Sequence, residues 1–251
     1  MDRGCHRRGR SRASRRPRLA QGWSRDGARL LAVTGASFEL LDATSGNVVF
    51  GPVRGRSAAL SPDGHTIAFV RDHLDDHGNQ YASVLYLVDV SSGALRPLAQ
   101  VSPKWLAFDV PVWAPDAKSV FIDQDDPVGG GEATIRQLPV DGSRGRDLAR
   151  EALSSLRNLA VSPVGDRLAF TSDAGIETLD LADGARHIVT RTSGGGELND
   201  LEWSPDGQRL AYTDLSAEAP SGGVYAVNAD GSGRTLVSTR DQAVDWFDWR
   251  P

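Results

Sequence analysis

Short apolar runs alternate with polar turns along this chain, and the runs are too brief for helices. Leu201-Glu202-Trp203 closes one run, Ser204-Pro205-Asp206-Gly207 follows, and Leu210-Ala211-Tyr212 opens the next. Ser, Pro, Asp and Gly in that order suit a type I turn, because Pro presets its own φ and Gly accepts a positive one at the end. Two apolar strands joined by such a turn predict a hairpin.

The phrase recurs. Trp23-Ser24-Arg25-Asp26-Gly27, Leu60-Ser61-Pro62-Asp63-Gly64, Trp113-Ala114-Pro115-Asp116-Ala117 and Val161-Ser162-Pro163-Val164-Gly165 each precede a second apolar run, and Trp249-Arg250-Pro251 begins it once more. From anchors at 23, 60, 113, 161, 203 and 249 the spacings are 37, 53, 48, 42 and 46 residues, around the ~40–50 residues of a four-stranded propeller blade. Each interval then holds a third strand and a turn, as in Leu85-Tyr86-Leu87-Val88-Asp89 with Ser92-Gly93, or Val224-Tyr225-Ala226-Val227-Asn228 with Asp230-Gly231. The expected fold is all-β: a β-propeller of four-stranded antiparallel blades. Five repeats are expected at about 19–53, 54–100, 105–150, 154–192 and 195–240, so the ring has five blades, or six, or is a fragment of a larger one. Two segments compete for the inner strand of the first repeat, Leu19-Ala20-Gln21-Gly22-Trp23 and, within residues 243–249, Val244-Asp245-Trp246-Phe247-Asp248-Trp249. The second is longer and alternates better, and is expected to pack beside the first repeat and close the ring, removing open sheet edges.

Ser-Pro-Asp-Gly followed by Leu-Ala-Tyr or Ile-Ala-Phe, and then Val-Tyr-x-Val-Asn-x-Asp-Gly, resembles the WD-like repeat of the TolB-type β-propellers over about residues 19–251. That resemblance implies a non-enzymatic scaffold that binds a protein or peptide, and a bacterial periplasmic or other extracytoplasmic setting. It does not by itself decide function, since propellers serve as scaffolds, binding modules and enzymes.

The 251 residues, 39% of them apolar, suffice for one repeat-built domain with a sizeable core. The net charge of −5 hides two unlike parts. Residues 1–20 hold eight Arg against Asp2 alone, which leaves −12 for residues 21–251. The Arg-rich start, residues 1–18, lacks apolar residues to bury and is expected to be a disordered, solvated tail or to precede the true start of translation. It offers the one footprint for nucleic acid, which is otherwise not expected as a partner. Ser14-Arg15-Arg16 resembles a twin-arginine signal, yet no apolar run follows before Trp23. No stretch reaches the ~18 apolar residues of a membrane span, and Cys5 stands alone, so no disulfide within the chain is expected.

In a propeller the Ser-Pro-Asp-Gly turns share one face with the third-to-fourth-strand turns. The opposite face carries the links between second and third strands and between blades. The longer insertions, Arg71 to Ala82, Asp123 to Glu132 and Asp214 to Gly223, belong to that loop face, where binding is usually built. Asp72, Asp123, Asp173 and Asp214 each end a second strand and are expected to form a negative patch near the channel mouth, suited to a basic segment of a partner. Repeat one, with Thr34-Gly35, lacks the acid. Trp105 on the link into repeat three is a candidate apolar anchor.

His73, Asp75 and His77 have metal-ligand chemistry, but a four-residue His spacing aligns on a helix and the surroundings here read as an irregular loop. Asp123-Gln124-Asp125-Asp126 lacks the spacing and terminal Glu of a Ca²⁺ loop, with Pro127 too close. No Gly-x-Ser-x-Gly elbow occurs, and the Gly129-Gly130-Gly131 and Gly194-Gly195-Gly196 runs open no helix, so no phosphate loop and no cofactor are expected. The expected function is a monomeric binding scaffold. The alternative is a propeller enzyme, a lactonase- or glycosidase-like hydrolase with a metal or carboxylate site at the channel mouth.

Overall fold

The computed structural model describes residues 19–34, 36–78, 80–101, 110–126, 131–152, 156–191, 198–215 and 223–239. The expected tail at 1–18, Trp105 and the closing strand at 243–249 lie outside them. All regular structure among the described residues is β. Twenty strands form five sheets of four, each antiparallel and in chain order. Blade 1 holds β1 (Leu19–Trp23), β2 (Arg29–Thr34), β3 (Ser37–Asp42) and β4 (Val48–Arg54), and blade 2 holds β5 (Arg56–Leu60), β6 (Thr66–Leu74), β7 (Gln80–Asp89) and β8 (Leu95–Val101). Blade 3 holds β9 (Val112–Trp113), β10 (Ser119–Asp126), β11 (Glu132–Pro139) and β12 (Arg146–Ala152). Blade 4 holds β13 (Arg157–Val161), β14 (Arg167–Ser172), β15 (Gly175–Asp180) and β16 (Arg186–Arg191), and blade 5 holds β17 (Leu198–Trp203), β18 (Arg209–Asp214), β19 (Gly223–Asn228) and β20 (Thr235–Thr239). The first strands β1, β5, β9, β13 and β17 lie side by side in succession, which makes them the innermost strands of a five-bladed propeller.

The repeated turn works through its serine. Ser204 Oγ accepts from Arg209 N at 2.9 Å and donates to Asp206 Oδ1 at 2.6 Å, while Gly207 N reaches Ser204 O at 2.8 Å with φ at +69°. Ser24 with Asp26 and Ser61 with Asp63 repeat these bonds. The serine hydroxyls hold the Asp26 and Asp206 carboxyls below the usual carboxylate range, and Ser91 and Ser92 hold Asp89 down to about 2 in the opposite turn of blade 2. Repeat four has Val164 where the others have Asp. Its Ser162 hydroxyl is buried and has no partner among the described residues, while the Val164 side chain is 66% exposed.

Between blades, second and third strands are buried on both faces, so their residues alternate between two seams. Ile67 and Phe69 pack on Leu31, Phe38 and Leu40 of blade 1, while Ala68 and Val70 pack on Trp113, Val120 and Ile122 of blade 3. Phe121 and Ile135 meet Leu168 and Phe170 across the next seam, and Ala169, Ile176 and Val189 meet Trp203, Leu210 and Tyr212 across the one after. This is why the second strands read as unbroken apolar runs rather than alternating ones. Polar pins add direction: Trp113 Nε1 donates to Ala59 O and Trp203 Nε1 to Ala160 O, both at 3.0 Å. Arg29 and Arg167 reach Gly64 O and Gly207 O in the turn of the next blade.

Two outcomes follow from the turn chemistry. Val164→Asp should give Ser162 its acceptor and raise stability by about 0.5–1.5 kcal/mol, read as a shifted denaturation midpoint. A carboxyl depressed in the folded state stabilises above its unfolded pKa near ~4 and loses that contribution as pH falls through the folded value. The guanidinium midpoint should therefore hold from pH 7 down to about pH 4 and drop below it.

Candidate functional site

The loop face is built differently from its sequence reading. Arg71 to Leu74 form no irregular loop but continue β6, with Arg71 opposite Val84, Asp72 opposite Ser83 and His73 opposite Ala82. Only the turn at Asp75 to Gly78 caps this hairpin, held by Gly78 N on Asp75 O and His77 N on Asp75 Oδ1. Asp123 to Asp126 likewise continue β10, paired with Glu132 to Ile135. Polar residues tolerate strand geometry here because partners distant in sequence meet them.

Asp72 accepts two bonds from Arg56, at 2.8 and 3.1 Å, and a third from Ser83 Oγ at 2.6 Å. Partial burial pulls its carboxyl upward, but the bonds from Arg56 and Ser83 outweigh this and hold it below the ordinary range. Asp214 is buried and accepts from Arg234 at 2.7 Å, while the same guanidinium bonds Tyr212 Oη and lies 4.1 Å from the centre of the Tyr225 ring. Asp123 is 3% exposed, and Asp173 sits exposed on the tight β14–β15 turn. The four acids do not share a register. Counted along the second strand from the residue opposite the end of the first (Ile67, Val120, Leu168, Leu210), Asp123 is third, Asp214 fourth, and Asp72 and Asp173 fifth. Asp214 thus faces the preceding blade with Tyr212, while Asp72 and Asp123 point to the following one.

His73 Nε2 lies 3.1 Å from Tyr86 Oη. Among the described residues no three His, Cys, Asp or Glu side chains converge as a metal site.

The first strands carry what the sequence reading missed. Ser57, Asn158 and Asp200 have φ of +51°, +52° and +53°, and each lies four residues before its repeat serine, Ser61, Ser162 or Ser204. Each sits in a register shift of the first strand against the second, a β-bulge at the loop-face end of the innermost strand. Thr213 Oγ1 donates to Asp200 Oδ2 at 2.9 Å, and Asn158 Nδ2 donates to Thr171 Oγ1 at 3.1 Å and to Leu198 O of blade 5 at 3.0 Å. Arg56 and Arg157 precede two of these bulges, so the inner rim mixes cations with Asp72 and Asp200. A legible signal existed: Ser, Asn and Asp at a constant offset are residue types that accept a left-handed backbone.

The opposite face carries a cleft of about 750 Å³ between the turns of blades 1 and 2, lined among others by Arg25, Arg29, Asp42, Val49, Asp63 and His65. Its origin is a single residue. Pro115 and Pro163 pack against Gly165 and Gly207 of the next turn, whereas the first repeat has Arg25 instead of Pro and Gly64 meets open space. Its carboxylates Asp26, Asp42 and Asp63 bond within their own turns, so the cleft reads as an unfilled seam, and the loop-face rim is the better site.

Because Asp214 is buried while Arg234 reaches it from the exposed side, removing the guanidinium leaves a buried carboxylate without that partner, and the pair should be structural. Arg234→Ala should cost about 2–3 kcal/mol, against about 0–1 kcal/mol for Arg150→Ala on the exposed Asp147 and Glu132 pairs, both read by chemical denaturation.

No family model matches this chain. It is 26% identical over 167 residues to the uncharacterized protein Atu1656 of Agrobacterium fabrum, a match spanning 61% of this chain and 52% of that protein. It is 24% identical over 172 residues to the uncharacterized peptidase YuxL of Bacillus subtilis, spanning 68% of this chain but 23% of YuxL. The chain thus spans about half or less of the curated relatives it matches. Among solved structures, a putative TolB from Agrobacterium tumefaciens superposes with a TM-score of 0.67 at 18% identity over 88% of this chain and 80% of that one. TolB from Acinetobacter baumannii gives 0.64 at 20% identity (87% and 53%), and an oligogalacturonate lyase in complex with manganese gives 0.66 at 16% (86% and 64%). At these identities the likeness concerns architecture, and this chain has the TolB-like β-propeller fold.

Proposed function

We propose that this propeller is a non-enzymatic binding module that takes a protein or peptide, with a basic segment, at the inner rim of its loop face. The observation that carries the reading is the recurrence of a left-handed, non-glycine residue at one register in three innermost strands, at Ser57, Asn158 and Asp200. Such backbone costs about 1–3 kcal/mol per residue and gathers at functional sites. The −12 of residues 21–251 supplies the long-range attraction for a cation-bearing partner. Of the four acids expected from the sequence, Asp72 stays at the rim but shares its charge with Arg56, and Asp200 joins it. Asp173 is exposed on its turn. Asp123 and Asp214 are buried and serve the frame. A bacterial extracytoplasmic setting is part of the proposal through the TolB-like fold alone.

A second reading, a propeller enzyme with a metal or carboxylate site, is kept because a fold neighbour carries the name oligogalacturonate lyase and a relative the name peptidase. Two measurements separate the readings. Affinity capture from the native organism with the double variant Asp173→Lys/Asp200→Asn, in which Asn keeps a residue type that accepts left-handed backbone, should fall by about tenfold and lose much of its salt sensitivity, with the thermal midpoint of the propeller kept; unchanged capture removes the rim from the proposal. Metal analysis of the purified protein giving one bound divalent ion per chain would favour the enzyme.

A further inference from the structure

Five blades in a row have four seams between them, and each of the four described core clusters fills one. The outermost faces of the row are nevertheless buried. On blade 5, Leu210, Tyr212, Tyr225 and Val227 face blade 4, so Ala211, Val224 and Ala226 point the other way, yet they are 4%, 5% and 1% exposed. On blade 1, Ala32 and Leu41 point away from blade 2 and are 1% and 7% exposed. None of these five residues belongs to a described cluster.

The repeat itself says what belongs on blade 5. At two seams the first strand of the next blade is keyed by a Trp whose indole donates to the carbonyl two residues before the repeat serine: Trp113 to Ala59 before Ser61, and Trp203 to Ala160 before Ser162. The matching acceptor on blade 5 is the Glu202 carbonyl, before Ser204. The matching donor is Trp249, since Phe247-Asp248-Trp249-Arg250-Pro251 repeats Leu201-Glu202-Trp203-Ser204-Pro205. Trp23, in the same position of the first repeat, is 41% exposed, against 8% and 6% for Trp113 and Trp203, so the first strand of blade 1 is not what keys onto Glu202.

We propose that residues 244–249 dock on the far face of blade 5 as the first strand of a sixth repeat, with the Trp249 indole donating to the Glu202 carbonyl and the segment covering Ala211, Val224 and Ala226.

The test uses the full chain labelled with ¹⁵N, with its six indole N–H signals assigned by single Trp→Phe variants. The Trp249 indole proton should exchange with solvent about a hundredfold more slowly than a free indole, in company with Trp113 and Trp203. Exchange at the free rate overturns the proposal. A second measurement identifies the cover: Val224→Cys in a Cys5→Ser background should resist a thiol reagent in the full chain and react about tenfold faster in a chain ending at residue 240. Unchanged protection in a shortened chain that still unfolds cooperatively also overturns it. If the shortened chain does not fold, the indole exchange rate decides.

Discussion

Burial on both faces is the constraint from which this structure follows. A blade of four strands with apolar residues on each side is not stable alone in water, because both faces would be exposed. Every seam is a layer of side chains owned jointly by two blades, as with Phe38 and Phe69, whose ring centres lie 4.9 Å apart across the first. The indole pins are core members as well, Trp113 and Trp203 being buried in their seams, and what their N–H groups and the guanidinium pins add is direction. They fix which strand edge meets which carbonyl, and so set the angle at which one blade follows another. Gly55 shows how closely this is drawn: a Cβ there would lie 2.4 Å from the Phe69 ring, so the link between blades 1 and 2 passes over that ring only as bare backbone.

The fold was legible because the same local chemistry recurs. Ser, Pro, Asp and Gly each have a separate reason to stand in their turn, and the bonds of Ser204 and Asp206 match those reasons atom by atom. The departures are equally local. Val164 leaves a buried hydroxyl without an acceptor, and Arg25 leaves a seam open. Both were visible as mismatches in the repeat, but their consequences depend on the neighbouring turn.

The site was less legible, for two physical reasons. Asp72 and His73 resemble loop residues until Arg56, sixteen positions earlier, and Tyr86 supply their partners across the sheet; a pattern read along the chain does not see pairing across it. Acids gathered by position at the ends of second strands divide between two faces once register is known, because a shift of one residue reverses a side chain. The bulges at Ser57, Asn158 and Asp200 are small polar residues in strands, unremarkable singly and significant only at their common offset. The rigid frame and the adaptable rim are thus written in different ways, the first in apolar periodicity and the second in exceptions to it.

The claim that blades are stable only through shared seams is tested most directly by native-state hydrogen exchange across the middle strands. The account predicts that amides of β6, β10 and β14, each in a blade flanked on both sides, exchange through one common opening with the same denaturant dependence. Independent opening of any one of these blades, with its neighbours still fully protected, would contradict it.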